Sequence, residues 1–220
     1  MKKLSLYIVL FCLIMTAGAC KNKTGGQTTA SSELSDDALM DTVQRRTFLY
    51  FWEGAEPNSG LAPERYHVDG VYPQNDANVV TSGGSGFGIM AILAGIDRGY
   101  VTREEGLARM ERIVSFLEKA DRFHGAYPHW WYGDTGKVKP FGQKDNGGDL
   151  VETAFLIQGL LAVHQYYING NEKEKALAQR IDQIWRDVDW NWYRKGGTKR
   201  VILALEPHIR LGNGFPDTWL

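Results

Sequence analysis

The chain has 220 residues, a formal net charge of −1, and 25 Lys and Arg set against 26 Asp and Glu. Balanced charge with no basic block leaves nucleic acid without an electrostatic footprint, so that class of partner is not expected. The surplus lies in aromatics, with seven Trp and ten Tyr. Such rings serve as core, and their flat apolar faces with polar edges also suit stacking on sugar rings.

Met1-Lys2-Lys3 followed by the apolar run LYIVLFCLIM has the basic and hydrophobic regions of a secretory signal. Thr16-Ala17-Gly18-Ala19 then leads into Cys20, the pattern of a bacterial lipobox. In that reading residues 1–19 are removed, and Cys20 becomes the lipid-bearing first residue. The run is short for a transmembrane helix. The expected location is the periplasm or cell surface, anchored to the membrane through lipid. The other cysteine, Cys12, lies inside the apolar run, so the exported chain is expected to lack an internal disulfide and to depend on a packed core. Residues 20–34 are polar, small and aperiodic after Cys20, and read as a flexible tether.

The folded part is expected from about residue 35 to residue 197. The spacing predicts a first helix from Ser35 to Glu53, with Ser35 as cap and Asp36-Asp37 at the positive end of its dipole. Residues 56–84 show no period, and a loop that long inside a compact domain points to function. A second helix, Ser85 to Arg98, has almost no polar face and is expected to be buried on all sides. A third, Thr102 to Ala120, opens with the capping-box pair Thr102 and Glu105 and is amphipathic. Gly133-Asp134-Thr135-Gly136 is read as the turn of a small hairpin within residues 126–141. A fourth helix, Asp149 to Tyr167, is again apolar nearly all round. A fifth, Asn171 to about Val188, has Asn171 and Glu174 as its cap, and Leu177, Ile181, Ile184, Trp185 and Val188 inward.

Buried helices thus alternate with half-exposed ones, the pattern of an all-α toroid in which an inner ring is wrapped by an outer one. An irregular helical bundle fits the same periods. In a toroid the loops before the two apolar helices share one rim.

The stretch KDNGGDLVETAF, residues 144–155, carries three carboxylates to that rim. Asp149 and Glu152 have capping-box spacing, which explains both without chemistry. They also lie one helical turn apart and face the same way, with Asp145 able to fold over them from the loop. Clustered carboxylates let one group keep its proton under the charge of the others, and glycoside hydrolysis needs such an acid together with a base or nucleophile. Capping and catalysis both remain open on the residues alone.

SGFGIMAILAGIDRGYVTREEG, then YPHWWY, then DNGGDLVETAF, resemble the bacterial glucoamylase-like family that includes endo-β-1,2-glucanases. The resemblance covers roughly residues 36–196. It implies an (α/α)6 barrel in an exported setting and endo-acting, inverting hydrolysis of a glucan, with β-1,2-glucan favoured; no cofactor is expected, and the chain is expected to be a monomer. It also implies an acidic trio at Asp145, Asp149 and Glu152, and a sugar-binding segment at His129, Trp130 and Trp131, with no metal ligand assigned. A glucoamylase-type α-glucosidase and a non-catalytic carbohydrate-binding lipoprotein are the alternatives. The visible helices make about two and a half hairpins of the six. Residues 198–220 lose the helical period, and for one set of codons a one-base shift of frame rewrites 203–220 as WHWSPTYGWAMDFRIHGY, which resembles the family's next segment. A frameshifted, truncated product is therefore expected, lacking a further acid that the family places beyond that point.

Overall fold

A computed structural model describes residues 34–143 and 145–194. The expectations for the signal, Cys20, nearly all of the tether and the 198–220 tail lie outside the described residues. The elements run in order α1 (Asp36–Trp52), β1 (Val79–Thr81), α2 (Ser82–Asp97), α3 (Arg103–Leu117), β2 (Trp130–Tyr132), β3 (Val138–Lys139), α4 (Leu150–Tyr167), α5 (Glu172–Arg186) and a 3-10 turn at Trp192–Arg194. The chain is mostly helical with one small sheet. Among the described residues no helix is long and apolar enough to cross a membrane.

The amphipathic helices start as their caps dictate. Thr102 accepts from the Glu105 backbone N–H while the Glu105 carboxylate accepts from that of Thr102, and Asn171 and Glu174 repeat the arrangement on α5. Each box satisfies donors that a helix start leaves without partners. Met110, Ile113, Val114 and Leu117 of α3 and Leu177, Ile181 and Ile184 of α5 are buried together with Ile89, Ile92, Leu156, Leu160 and Val163 of α2 and α4 in one hydrophobic cluster. Arg103 ties α3 to α5 by an ion pair with the buried Glu174, and its guanidinium lies over the rings of Tyr166 and Tyr167.

The closest contact is between α2 and α4. A Cβ on Gly86 would stand 2.2 Å from the Phe155 carbonyl oxygen, and one on Gly159 would stand 2.4 Å from that of Gly86. The helices cross with backbone against backbone, which is why both carry glycine despite its cost to helix propensity.

Three expectations need correcting. The second helix begins at Ser82, so the Gly83-Gly84-Ser85-Gly86 run is helical; the tight crossing outweighs glycine's loop preference. Residues 79–81, expected to be irregular, form β1 and pair antiparallel with β2, in register Thr81 with Trp130 and Val79 with Tyr132. A three-residue strand is too short to show a period. The predicted hairpin is present as β2 and β3, with Trp130 opposite Lys139 and Trp131 opposite Val138. Third, α2 and α4 are not buried on all sides. Phe87 (52% exposed), Val151, Phe155 and Leu161 face solvent, with the Phe87 and Phe155 rings 5.3 Å apart. Hydropathy reports that a face is apolar, not that this chain covers it.

Because the crossing leaves no room for a methyl group, Gly159→Ala is expected to destabilise the fold by about 1–3 kcal/mol, the usual range for overpacking. Urea unfolding measures this, and an unchanged midpoint would refute the tight crossing.

Candidate active site

The strand-and-loop layer brings the two apolar helices to a common edge at their N-termini. The backbone of Tyr127, Pro128 and His129 runs between them, held from both sides. On the α2 side the Ser82 hydroxyl donates to the Pro128 carbonyl at 2.7 Å, and the Ser82 N–H donates to the His129 carbonyl at 3.1 Å. On the α4 side the Tyr127 N–H donates to the buried Thr153 hydroxyl at 2.8 Å, and the Asp149 N–H donates to the Tyr127 carbonyl at 2.8 Å. The segment has little freedom to move, so His129 enters the site from a fixed backbone.

Asp149 is the N-cap of α4, as its position predicts. Its Oδ1 accepts from the N–H groups of Val151 and Glu152 at 2.9 and 3.1 Å. Its Oδ2 lies 3.1 Å from His129 Nδ1. One carboxylate therefore caps the helix and holds the imidazole at once.

Glu152 does something the capping-box spacing does not predict. It leaves the return arm of the box unmade and reaches across to α2, where its Oε2 accepts from the Gly83 N–H at 2.9 Å. The N-cap of α2, Thr81, makes no side-chain cap bond. Glu152 thus serves as an acceptor for a helix start that lacks its own, and its negative charge meets the positive end of the α2 dipole. A Cβ at Gly83 would be 2.3 Å from Glu152 Oε2, so a side chain here would displace the carboxylate.

Asp145 folds over from the loop. Its N–H donates to the Gly142 carbonyl at 3.2 Å, and its own carbonyl accepts from the N–H groups of Phe141 and Gly142 at 2.9 and 3.2 Å. Its Oδ1 is buried without a hydrogen-bond partner among the described residues. Burial raises its carboxyl above the usual range, the charges of Asp149 and Glu152 push the same way, and His129 pushes back. For His129, burial favours the neutral ring. The hydrogen bond to Asp149, together with the charges of Glu152, Asp149 and Asp145, outweighs it and lifts the imidazole above its ordinary value. The trio and His129 thus meet at one edge, where Asp145 is disposed to keep its proton. His129, Asp145 and Asp149 each also offer one ligand atom within 4.8 Å of the other two, a set with the composition of a cation site, although the sequence motifs assign none.

The aromatic segment divides. Trp130 is half-buried at the edge, with Lys139 Nζ 4.9 Å above its ring. Trp131 points the other way, as successive strand residues must. It is fully buried, with Nε1 donating to the Asp121 carbonyl at 3.0 Å. A ring with no exposed face cannot stack on a sugar, so the expectation for Trp131 is corrected to a core residue. Two contributors escape the sequence motifs. One is Gly83, legible only as part of a glycine-rich run. The other is Phe141, a lone aromatic after a proline with no pattern around it.

No family model matches the chain. Over 163 residues it is 55% identical to an exo-β-1,2-glucooligosaccharide sophorohydrolase of Parabacteroides distasonis, a match covering 74% of this chain and 22% of that one. It superposes on an endo-β-1,2-glucanase from Chitinophaga pinensis, solved with sophorotriose and glucose, at TM-score 0.78 and 67% identity over 80% of this chain and 42% of that one. A candidate glucoamylase from Bacteroides caccae matches at 90% identity and TM-score 0.77, over 79% of this chain and 42% of that one. Over about four-fifths of its length the chain is thus similar to solved bacterial proteins described as a candidate glucoamylase and a β-1,2-glucanase. It spans about two-fifths of the length of these solved relatives and less of the curated one. The resemblance carried by SGFGIMAILAGIDRGYVTREEG, YPHWWY and DNGGDLVETAF therefore holds over most of its residues.

The raised Asp145 carboxyl has a consequence for stability. The folded state holds this proton more tightly than the unfolded chain does. Its contribution is full below the ordinary carboxylate pKa of about 4 and is lost as pH rises through the raised folded value. Asp145→Asn should therefore raise the melting temperature at pH 7 and leave it nearly unchanged at about pH 3, where Asp145 is already neutral. A lower melting temperature at pH 7 would show that the carboxylate is satisfied where it sits.

Proposed function

We propose that this chain supplies the acid-bearing rim of a glycoside hydrolase acting on β-1,2-glucan, built on part of an (α/α)6 toroid. The observation that carries the proposal is the convergence of Asp145, Asp149 and Glu152 with His129 at the start of α4, in a chain 67% identical to an endo-β-1,2-glucanase. Two relatives act on β-1,2-linked glucose by name, which favours that linkage over the α-linkages of a glucoamylase.

In this reading the three acids divide the work by environment. Asp145, whose carboxyl is raised above the usual range by burial and by its neighbours' charge, delivers its proton to the glycosidic oxygen as the bond to the anomeric carbon breaks. Glu152 is bound at one oxygen by Gly83 and makes no protein hydrogen bond through Oε1 among the described residues. That oxygen takes a proton from the water that attacks the anomeric carbon. Asp149 holds His129 and the helix start, and His129 lies beside the carboxylate that Asp145 becomes once it has given up its proton. Endo action and inversion are part of the same proposal, inversion requiring room for the water between acid and base. Cys20 carries lipid and holds the enzyme at the membrane surface as a monomer in the periplasm or outside the cell. Loss of label from a fatty-acid feed in Cys20→Ala tests the anchor.

The enzymatic test is release of new reducing ends from β-1,2-glucan. Asp145→Asn and Glu152→Gln should each lower the rate by roughly 10²–10⁴-fold, the range for a lost acid or base. Full activity in Glu152→Gln would reduce that residue to its bond with α2. Glucose released from maltooligosaccharides with β-1,2-glucan untouched would favour the glucoamylase reading. A second reading is glucan binding without turnover. Sophorotriose binding with no new reducing ends would support it.

A further inference from the structure

The aromatic face open to a sugar at this rim is not the one the HWWY motif points to. Trp131 is in the core. Trp130 has Lys139 over its ring at 4.9 Å and meets Phe141 at 4.8 Å and 61°. Phe141, outside the motif, is 49% exposed. Its ring stacks on His129 at 4.1 Å and 26°, so one face is covered by the imidazole while half of the side chain stays in solvent. This large apolar ring stays half exposed on the loop that carries Asp145, where a ligand could still cover it. Its backbone is also fixed to the acids, because the Phe141 N–H donates to the Asp145 carbonyl at 2.9 Å.

We propose that Phe141 is a substrate-contact residue whose outward ring face forms the apolar floor of a glucosyl subsite beside Asp145. A gluco-configured ring carries its hydroxyls equatorially, so both of its faces present C–H groups that fit a flat aromatic surface. Its edge hydroxyls then lie toward the acids. Since Phe141 rests on His129, and His129 on Asp149, the sugar lies on a stack that ends in the α4 cap. Trp130 and Lys139 become the side wall of this subsite, and Phe141 the residue that holds the ring. The inference rests on the carbohydrate reading of the site but not on its linkage.

The test is titration of this chain with sophorotriose and, separately, with maltotriose by calorimetry, comparing wild type with Phe141→Ala, Phe141→Leu and Phe141→Trp. Loss of one ring contact should weaken binding on the order of tenfold in Phe141→Ala, with most of the loss persisting in Phe141→Leu and affinity recovered in Phe141→Trp. Melting temperatures should stay close to wild type, because the side chain is half exposed. If sophorotriose binds Phe141→Ala as tightly as wild type, the subsite proposal is overturned while the β-1,2 reading stands. If wild type binds maltotriose alone and Phe141→Ala loses that binding, the subsite stands and the β-1,2 assignment falls. Binding of neither sugar by folded wild type sinks both.

Discussion

Everything at the rim depends on the strap of backbone from Tyr127 to His129. It is held to the start of α2 through Ser82 and to the start of α4 through Thr153 and Asp149. These bonds satisfy helix-start donors and loop carbonyls that would otherwise lack partners away from water. They also set the distance between the two helix N-termini, and the crossing at Gly86 and Gly159 keeps that distance short. Glu152 can reach Gly83 only because the helices are this close. The same closeness places His129 within a hydrogen bond of Asp149. The chemistry of the site thus inherits its geometry from a packing constraint between two glycines lower in the helices.

The three acids differ because each has a different set of partners. Asp149 is occupied on both oxygens by helix N–H groups and an imidazole. Glu152 is occupied on one oxygen by the neighbouring helix. Asp145 has a buried oxygen with no partner and two like charges nearby. Three carboxylates therefore sit in three different environments within one cluster. This is how a cluster of carboxylates avoids being a mere accumulation of charge. The exposed apolar flank of α2 and α4, with Phe87 and Phe155 in contact, has the surface character of a face made for further packing.

Much of the fold was legible. Period and caps located all five helices, because Thr102 with Glu105 and Asn171 with Glu174 are local devices that need only neighbouring residues. The β2–β3 hairpin was legible from its turn. The start of α2 was not, because glycine's loop preference is a local tendency and the crossing that overrides it is not local. β1 was hidden because three residues cannot show alternation. At the site, Asp145, Asp149 and Glu152 were legible as a spaced trio, and His129 as part of an aromatic segment. Trp130 and Trp131 looked equivalent until strand alternation sent one outward and the other into the core. Phe141 carried no signal at all.

The sequence by itself determined the spaced carboxylates Asp145, Asp149 and Glu152 and the capped starts of α3, α4 and α5, since spacing and capping act over one turn of chain. Only the tertiary structure decided what each acid touches. Asp149 and Glu152 have the spacing of a capping box, yet Glu152 spends its carboxylate on a different helix, 69 residues away in sequence. A local rule cannot foresee that outcome, because the vacant helix start that draws Glu152 away exists only once α2 has packed against α4.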